Sequence, residues 1–362
     1  MKCSRCGHDS KYRERSGRIC PQCKKAFAFE PRESDPVTDM LFKNAITAVS
    51  AQGEVRFGVE HLYYEVCRRT RRKAMPLGIA FFLMVCSLAS LVMWLAEPKQ
   101  RGLPFVVLIT GGIGLISLGR RLSARYAVLT PATFRNLYDR WCQVHGRPEG
   151  VIQRREQPAP SSQAEPDLVD YSFDRAVVCD RARTVDVLLA NNFHFENNCA
   201  ILSIGGYPPG PFATVRTMLQ RNPNLQVFVL HDATPEGCRL AQRLVRDRDW
   251  FPAGIRVIDV GLRPGHARQF FGLWQRAEGR VPEAGDSITA REATWLSRYR
   301  LELAAVRPAQ VMKRLFRAMN RQPLLQTTGT GDGGGVFIFT EQDTTSFATD
   351  ADTLDTGADA FG

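Results

Sequence analysis

The sequence lacks an apolar N-terminal stretch. Met1-Lys2-Cys3 leads into polar residues with no small-residue cleavage site, so no cleaved signal peptide is expected. It also lacks the cysteine pattern of a disulfide scaffold. Of ten cysteines, four stand in two Cys-x-x-Cys pairs, and Cys67, Cys86, Cys142, Cys179, Cys199 and Cys238 are scattered singly in mostly apolar surroundings. That usage suits a reducing compartment and one metal site. Acidic residues are in deficit: 37 against 48 Lys and Arg give a formal charge of +11 and a pI near 9.4. Such a balance fits nucleic acid or anionic lipid as partner, and it also follows from arginines that flank membrane segments. Apolar residues are not scarce. At 44% of 362 residues they exclude a disordered chain and leave room for one ordinary domain beside smaller modules.

Cys3-x-x-Cys6 and Cys20-x-x-Cys23 are separated by thirteen residues. That spacing lets two short knuckles converge and offer four thiolates to one tetrahedral ion, which gives a module too small for a core a reason to fold. Gly7 after the first pair and Pro21 inside the second suit tight knuckle turns. Residues 1–30 are therefore expected to be a zinc ribbon, with Cys3, Cys6, Cys20 and Cys23 holding a structural Zn²⁺. His8 is surplus, and a closed four-cysteine site leaves no position for substrate.

Residues 75–96 are an uncharged, mainly apolar run, and after a polar loop at 97–101 a second run covers 102–119, with Gly111, Gly112 and Gly114 suited to close helix packing. At ~1.5 Å per residue the first matches a hydrocarbon core of ~30 Å. Arg68, Arg69, Arg71, Arg72 and Lys73 precede the first run, and Arg120, Arg121 and Arg125 follow the second. The positive-inside rule then predicts a transmembrane hairpin over 75–119 in the cell (inner) membrane, with both termini and the soluble domains cytoplasmic. Residues 36–74 read as a helical, winged-helix-like segment broken at Gln52-Gly53. Residues 120–149 read as a helical segment capped by Thr130 and ended by Gly146, and 150–170 as a Gln-, Pro-, Ser- and Glu-rich flexible linker.

Over 171–265 short apolar strands, near 176–179, 200–204, 226–230 and 255–260, alternate with helices near 183–191, 212–221 and 236–247. This predicts a parallel, Rossmann-like sheet with functional groups at the strands' carboxyl ends, where Asp180, Gly205-Gly206, His231-Asp232 and Asp259 stand. Asp232-Ala233-Thr234-Pro235-Glu236-Gly237 after an apolar strand resembles the Asp-x-Asp-x-x-Gly motif of the Toprim domains of topoisomerases, primases and related nucleases. Ile204-Gly205-Gly206-Tyr207-Pro208 is similar to the glycine turn of the topoisomerase VI A-subunit branch. The resemblance implies Mg²⁺ held by several carboxylates for phosphoryl transfer. Here Cys179 or Asp180 stands at the first carboxylate position and Thr234 replaces the second aspartate of the motif, so the implied metal site is degenerate. Asp180 and Asp232 are left for one weakly held Mg²⁺. Upstream, Arg56-Phe57-Gly58-Val59-Glu60-His61-Leu62-Tyr63-Tyr64 resembles the helix carrying the nucleophilic tyrosine of that branch, which makes Tyr64 its counterpart. The plainer reading is an aromatic pair at a membrane interface. His231 at a strand end has no partner identifiable in the sequence.

Thr289-x-x-Glu292 is a capping box that opens a helical stretch to about residue 319, interrupted near Pro308. Within 266–325, Lys313, Arg314, Arg317 and Arg321 share a helical face suited to phosphate or to solvent. Residues 326–362 include Glu341, Asp343, Asp350, Asp352, Asp355 and Asp359 with no basic residue, and are expected to be a disordered acidic tail. The expected fold class is a multidomain α/β membrane protein: zinc ribbon, two transmembrane helices, a parallel Toprim-like domain, a helical C-terminal region and the tail. The expected function is that of a membrane-anchored, non-catalytic interaction or nucleic-acid-binding module. Its partners are the membrane, nucleic acid and proteins bound through the ribbon or the tail, and no small-molecule substrate is identifiable. The alternative is a Mg²⁺-dependent nuclease or topoisomerase-like enzyme with Asp180, Asp232 and Tyr64 as its catalytic residues.

Overall fold

The computed structural model describes residues 1–71, 82, 84–89, 109, 111–113, 126–153, 173–209, 212–222, 224–251, 254–277, 282–320, 326–328 and 336–338. The N-terminal ribbon uses one local device twice. In each knuckle the first cysteine donates its N–H across the turn, Cys3 to the His8 carbonyl and Cys20 to the Lys25 carbonyl, both at 2.9 Å. Its own carbonyl accepts from the residue after the second cysteine, Gly7 or Lys24, both at 3.0 Å. That residue must take a left-handed backbone, with φ +73° at Gly7 and +58° at Lys24.

Beyond the second knuckle the chain runs into a helical module made of α1 (Asp39–Val49), α2 (Val59–Thr70) and α3 (Pro131–His145). Thr38 and Thr130 cap α1 and α3 by accepting from the Leu41 and Thr133 N–H groups. The buried Asp39 carboxylate joins ribbon to helices, accepting from the Ala28 N–H at 3.1 Å, the Phe29 N–H at 2.9 Å and facing the His145 ring. Phe29 then packs against Phe42 of α1 and Trp141 of α3. Beneath it Arg15 forks onto Glu30 at 3.0 and 3.1 Å, both side chains buried.

The α/β part contains β1 (Arg175–Cys179), α4 (Ala182–Ala190), α5 (Phe193–Glu196), β2 (Cys199–Ser203), α6 (Phe212–Arg221), β3 (Gln226–Leu230), α7 (Pro235–Arg246) and β4 (Arg256–Asp259). After it come α8 (Pro264–Ala267), β5 (Gln275–Arg276), α9 (Ala290–Leu296), β6 (Tyr299–Arg300), α10 (Pro308–Asn320), β7 (Gln326–Thr328) and β8 (Val336–Ile338). The sheet runs β2-β1-β3-β4-β8-β7, parallel from β2 to β8 and antiparallel between β8 and β7. Period-two alternation divides the strands between two cores. Val177, Ile201, Phe228 and Ile258 face the core shared with the helical module, while Val178, Leu202, Val229 and Val257 face the opposite layer. Because β1 lies between β2 and β3, the chain reverses direction across the sheet at β1, and the crevice of this switch point opens at the carboxyl ends of β1 and β3.

Several expectations need correction. Among the described residues no helix is long and apolar enough to cross a membrane. This overturns the transmembrane hairpin over 75–119, the membrane-protein fold class and the multi-pass placement with cytoplasmic termini. The described residues of that segment, 82, 84–89, 109 and 111–113, are helical, and the rest of it lies outside the described residues. Most of the 150–170 linker lies outside them too. Tyr63 and Tyr64 do not line an interface: both are buried in the helical module. In the stretch expected to be one interrupted helix, β6 and a 3-10 turn at Leu303–Ala305 stand between α9 and α10. The basic face of α10 is not uniform either, since Arg314 is buried and donates to the Val260 carbonyl at 3.2 Å. Within the expected disordered tail, β7 and β8 extend the sheet, because the Val-Phe-Ile run has the residue types a pleated ladder favours; the rest of the tail lies outside the described residues.

The Asp39 clasp yields a prediction. Asp39→Ala strands two buried N–H groups and should cost about 3 kcal/mol, since hydrogen bonds to a charged acceptor are worth ~1.5–3 kcal/mol each. Urea unfolding gives the size of the loss, and faster proteolytic cutting near residue 30 should accompany it.

Candidate functional site

Cys3, Cys6, Cys20 and Cys23 bring their four sulfurs within 4.8 Å of one another, a cluster able to hold a metal ion. The Cys3–Cys23 and Cys6–Cys20 sulfur separations are both 3.7 Å. The crowded thiols ionise unequally. Against its burial, Cys20 is pulled down to about 6 by the Cys23 and Gln22 N–H groups, whereas Cys6, against the pull of the His8 N–H, is pushed up to about 11 by partial desolvation and its three cysteine neighbours.

The second site is the switch-point crevice. Asp180 follows β1 and Asp232 follows β3, and the Asp232 N–H donates to Asp180 Oδ2 at 2.7 Å. Asp180 Oδ1 is buried without a partner among the described residues. Burial, and then the neighbouring Asp232 charge, push the Asp180 carboxyl up to about 6. Asp232 is also raised by burial, against the Leu303 N–H that favours its charged form. Both of its oxygens are engaged: Oδ1 accepts from the Leu303 N–H at 2.7 Å and Oδ2 from Arg181 Nε at 3.0 Å. Thr234 caps α7, its hydroxyl oxygen accepting from the Gly237 N–H at 3.1 Å. Outside these groups lies a cleft of about 550 Å³, lined among others by Arg181, Glu236, Arg239, Gln275, Arg300 and Glu302. Among the described residues the four cysteines are the one group of three or more ligands close enough to share an ion, so Asp180 and Asp232 do not assemble a metal cluster with Glu302.

Tyr64 approaches this site from below. Its phenol donates to Glu302 Oε2 at 3.3 Å and accepts from Gln275 Nε2 at 2.8 Å. It is 1% exposed, and burial followed by the Glu302 charge raises it well above an ordinary phenol. Arg183 bridges Glu302 at 2.7 Å and Glu60 at 3.5 Å. The structure thus brings Asp180, Asp232 and Tyr64 to one region and pairs two of its acidic groups with arginine.

His231 gains the partners that the sequence leaves open. Nδ1 faces the Asp232 carbonyl at 2.7 Å and Nε2 faces Asp259 Oδ1 at 2.9 Å. A carbonyl only accepts, so Nδ1 carries a proton. Asp259 in turn accepts from Arg263 at 3.1 Å, and Arg263 forks onto Glu292 at 2.9 and 2.7 Å. The ring fits because two glycines flank it: a Cβ on Gly261 would fall 2.3 Å from His231 Cδ2, and one on Gly237 would fall 2.4 Å from the Asp232 carbonyl oxygen.

The chain matches no protein-family model, no curated protein and no solved structure. The site must be read from its own geometry. Residues the sequence reading missed are Arg181, Arg183, Arg263 and Glu302. Arg181 had a signal, being next to Asp180 after the strand; Glu302 stands 70 residues beyond Asp232 with no motif to connect them.

The His231–Asp259 pair predicts a pH dependence. Burial opposes the charged ring, but Asp259 outweighs it and raises His231 above its ordinary 6.5. That contribution is complete below pH 6.5 and is lost as pH rises through the raised folded value. Asp259 is depressed by His231 and Arg263 despite burial, so its contribution is complete above its ordinary 3.8 and is lost as pH falls. Urea midpoints measured from pH 4 to 9 should fall on the alkaline side in the parent. His231→Gln should be less stable at pH 6 and should flatten that alkaline limb.

Proposed function

We propose that the chain is a zinc-ribbon protein whose Toprim-like α/β domain binds nucleic acid without metal-dependent chemistry. One observation carries the reading: both Asp232 oxygens are satisfied within the protein, one by the Leu303 N–H and one by the Arg181 guanidinium. An arginine stands where the resemblance implies a cation. Thr234, in place of the second aspartate of the motif, spends its oxygen on the α7 cap. Guanidinium groups of Arg181, Arg239 and Arg300 on the cleft walls suit phosphate oxygens, which arginine binds with its planar fork. Phosphoryl transfer through Tyr64 is disfavoured, because a nucleophile must reach an external phosphorus and this phenol is buried beneath Gln275 and Glu302.

The ribbon metal in this reading is zinc. Zinc–sulfur bonds of ~2.3 Å set the sulfurs of a regular tetrahedron roughly 3.8 Å apart, close to the 3.7 Å separations of the two cysteine pairs. Four thiolates close the site, so the ion would hold the two knuckles together and take no substrate. Metal analysis should give one zinc per chain, lost in Cys20→Ser together with the fold of residues 1–30; a folded ribbon without zinc would sink this part of the reading.

Plasmid cleavage and relaxation assays with Mg²⁺ or Mn²⁺ should find no activity in the parent, while electrophoretic shifts should show it binding nucleic acid. Thr234→Asp keeps an efficient helix cap and restores a carboxylate, so calorimetric titration should find Mg²⁺ held about tenfold tighter, or ~1.4 kcal/mol. Metal-dependent cleavage by the parent that disappears in Asp232→Ala would instead establish the phosphoryl-transfer enzyme.

A further inference from the structure

One helix beside the cleft carries more charge than its packing uses. On α7, Leu240, Ala241 and Leu244 are buried in the layer beneath the sheet, while Arg239, Arg243 and Arg246 are exposed. Steps of four and three residues at ~100° each bring these three arginines within about 60° of arc, and the seven steps from the first to the last cover roughly 10 Å along the axis. Their partners are slight. Arg239 Nη2 donates to the Glu283 carbonyl at 3.3 Å, Arg246 lies 3.7 Å from an Asp286 carboxylate that is 74% exposed, and Arg243 has no side-chain partner among the described residues. Exposed pairs of this kind contribute little to stability. The helix dipole favours basic residues in the last turn, where Arg243 and Arg246 stand, but not Arg239 nearer the other end.

Arg239 also lines the cleft, together with Arg181, whose Nε is committed to Asp232 while its side chain remains half exposed. The stripe and the cleft mouth are therefore one continuous surface. We propose that this surface, Arg181 at the cleft and Arg239, Arg243 and Arg246 along α7, is the track for the phosphodiester backbone of one nucleic-acid strand. The inference rests on the nucleic-acid reading above and assigns its surface. Charge and shape both fit: three guanidinium groups at short steps along one helix face can meet successive phosphates of a strand laid beside them. Glu236, on the first turn, would close the track on the cleft side by repelling phosphate.

The test is fluorescence anisotropy of the full, zinc-loaded chain with a labelled duplex and its single strand over a salt series. The parent is compared with R239Q/R243Q/R246Q, with the corresponding triple Lys variant, and with K2Q/K24Q/K25Q on the ribbon. The Gln variant should bind duplex at least about tenfold more weakly at low salt, and its log K against log salt slope should flatten by about 2 to 3, since each phosphate contact contributes ~0.9. The Lys variant should keep the slope, and so should the ribbon variant. Circular dichroism and melting check the fold of each; should the Gln variant fail to fold, single Arg243→Gln, at the least engaged of the three, should flatten the slope by about 1. A parent that binds with a slope unchanged in the α7 variants overturns the track and leaves the nucleic-acid reading standing. Loss of binding confined to the ribbon variant does the same. A parent that binds neither strand form overturns both.

Discussion

The His231 ring, sealed between Gly237 and Gly261, sets how closely α7 and the chain after β4 approach the end of β3. A Cβ on either glycine would meet the ring or the Asp232 carbonyl well inside contact distance. The ring is fully buried, yet its nitrogens meet a carbonyl and a carboxylate, and the charges alternate outward through Asp259, Arg263 and Glu292. Such a chain offsets the cost of burying charge only while every member is present; removing one leaves its neighbour unpaired in a medium of low dielectric. Glu292 is also the third residue of the α9 capping box, so one carboxylate closes a helix end and terminates the buried network.

The same logic holds the helical module against the sheet. Glu65 is buried on α2 and takes Arg68 and Arg69 from its own helix and Arg307 from the segment before α10, between 2.8 and 3.2 Å. Burial opposes its charge, but the three guanidinium groups hold its carboxyl below the ordinary range. Arg183 reaches from α4 to Glu60 and Glu302, and Asn191 exchanges hydrogen bonds with the Arg56 backbone at 2.8 and 2.9 Å. Helical module and sheet are thus joined by directional contacts around the apolar core that the module shares with one face of the sheet. Directional pairs fix register where apolar packing alone tolerates sliding.

These contacts also explain the chemistry left at the switch point. In an open parallel sheet this crevice is where ligands bind, and here Asp232 is engaged by Arg181 and the Leu303 N–H and Glu302 by Arg183, while one oxygen of Asp180 has no partner among the described residues. At Asp232 a divalent ion would have to displace the Arg181 guanidinium. In the proposed reading a phosphate would approach the guanidinium groups from the cleft side.

Much of the local structure was legible in the sequence, because its causes are local. The four-cysteine spacing, the Thr130 and Thr289 caps, the breaks near Gln52-Gly53 and Gly146, and the alternation of apolar strands with amphipathic helices all depend on residues within a few positions of each other. Asp180 and Asp232 were found as strand-end residues by the same periodicity. The apolar runs within 75–119 predict a hairpin from composition alone, whereas among the described residues no helix is long and apolar enough to cross a membrane. What only the tertiary structure decided was which groups meet: His231 with Asp259 across 28 residues, Asp232 with Leu303 across 71, and Tyr64 with Glu302 across 238. Those pairings come from strand order and helix docking, and a chain's sequence carries no local trace of which distant carboxylate its fold will bring to an arginine, a phenol or a buried imidazole.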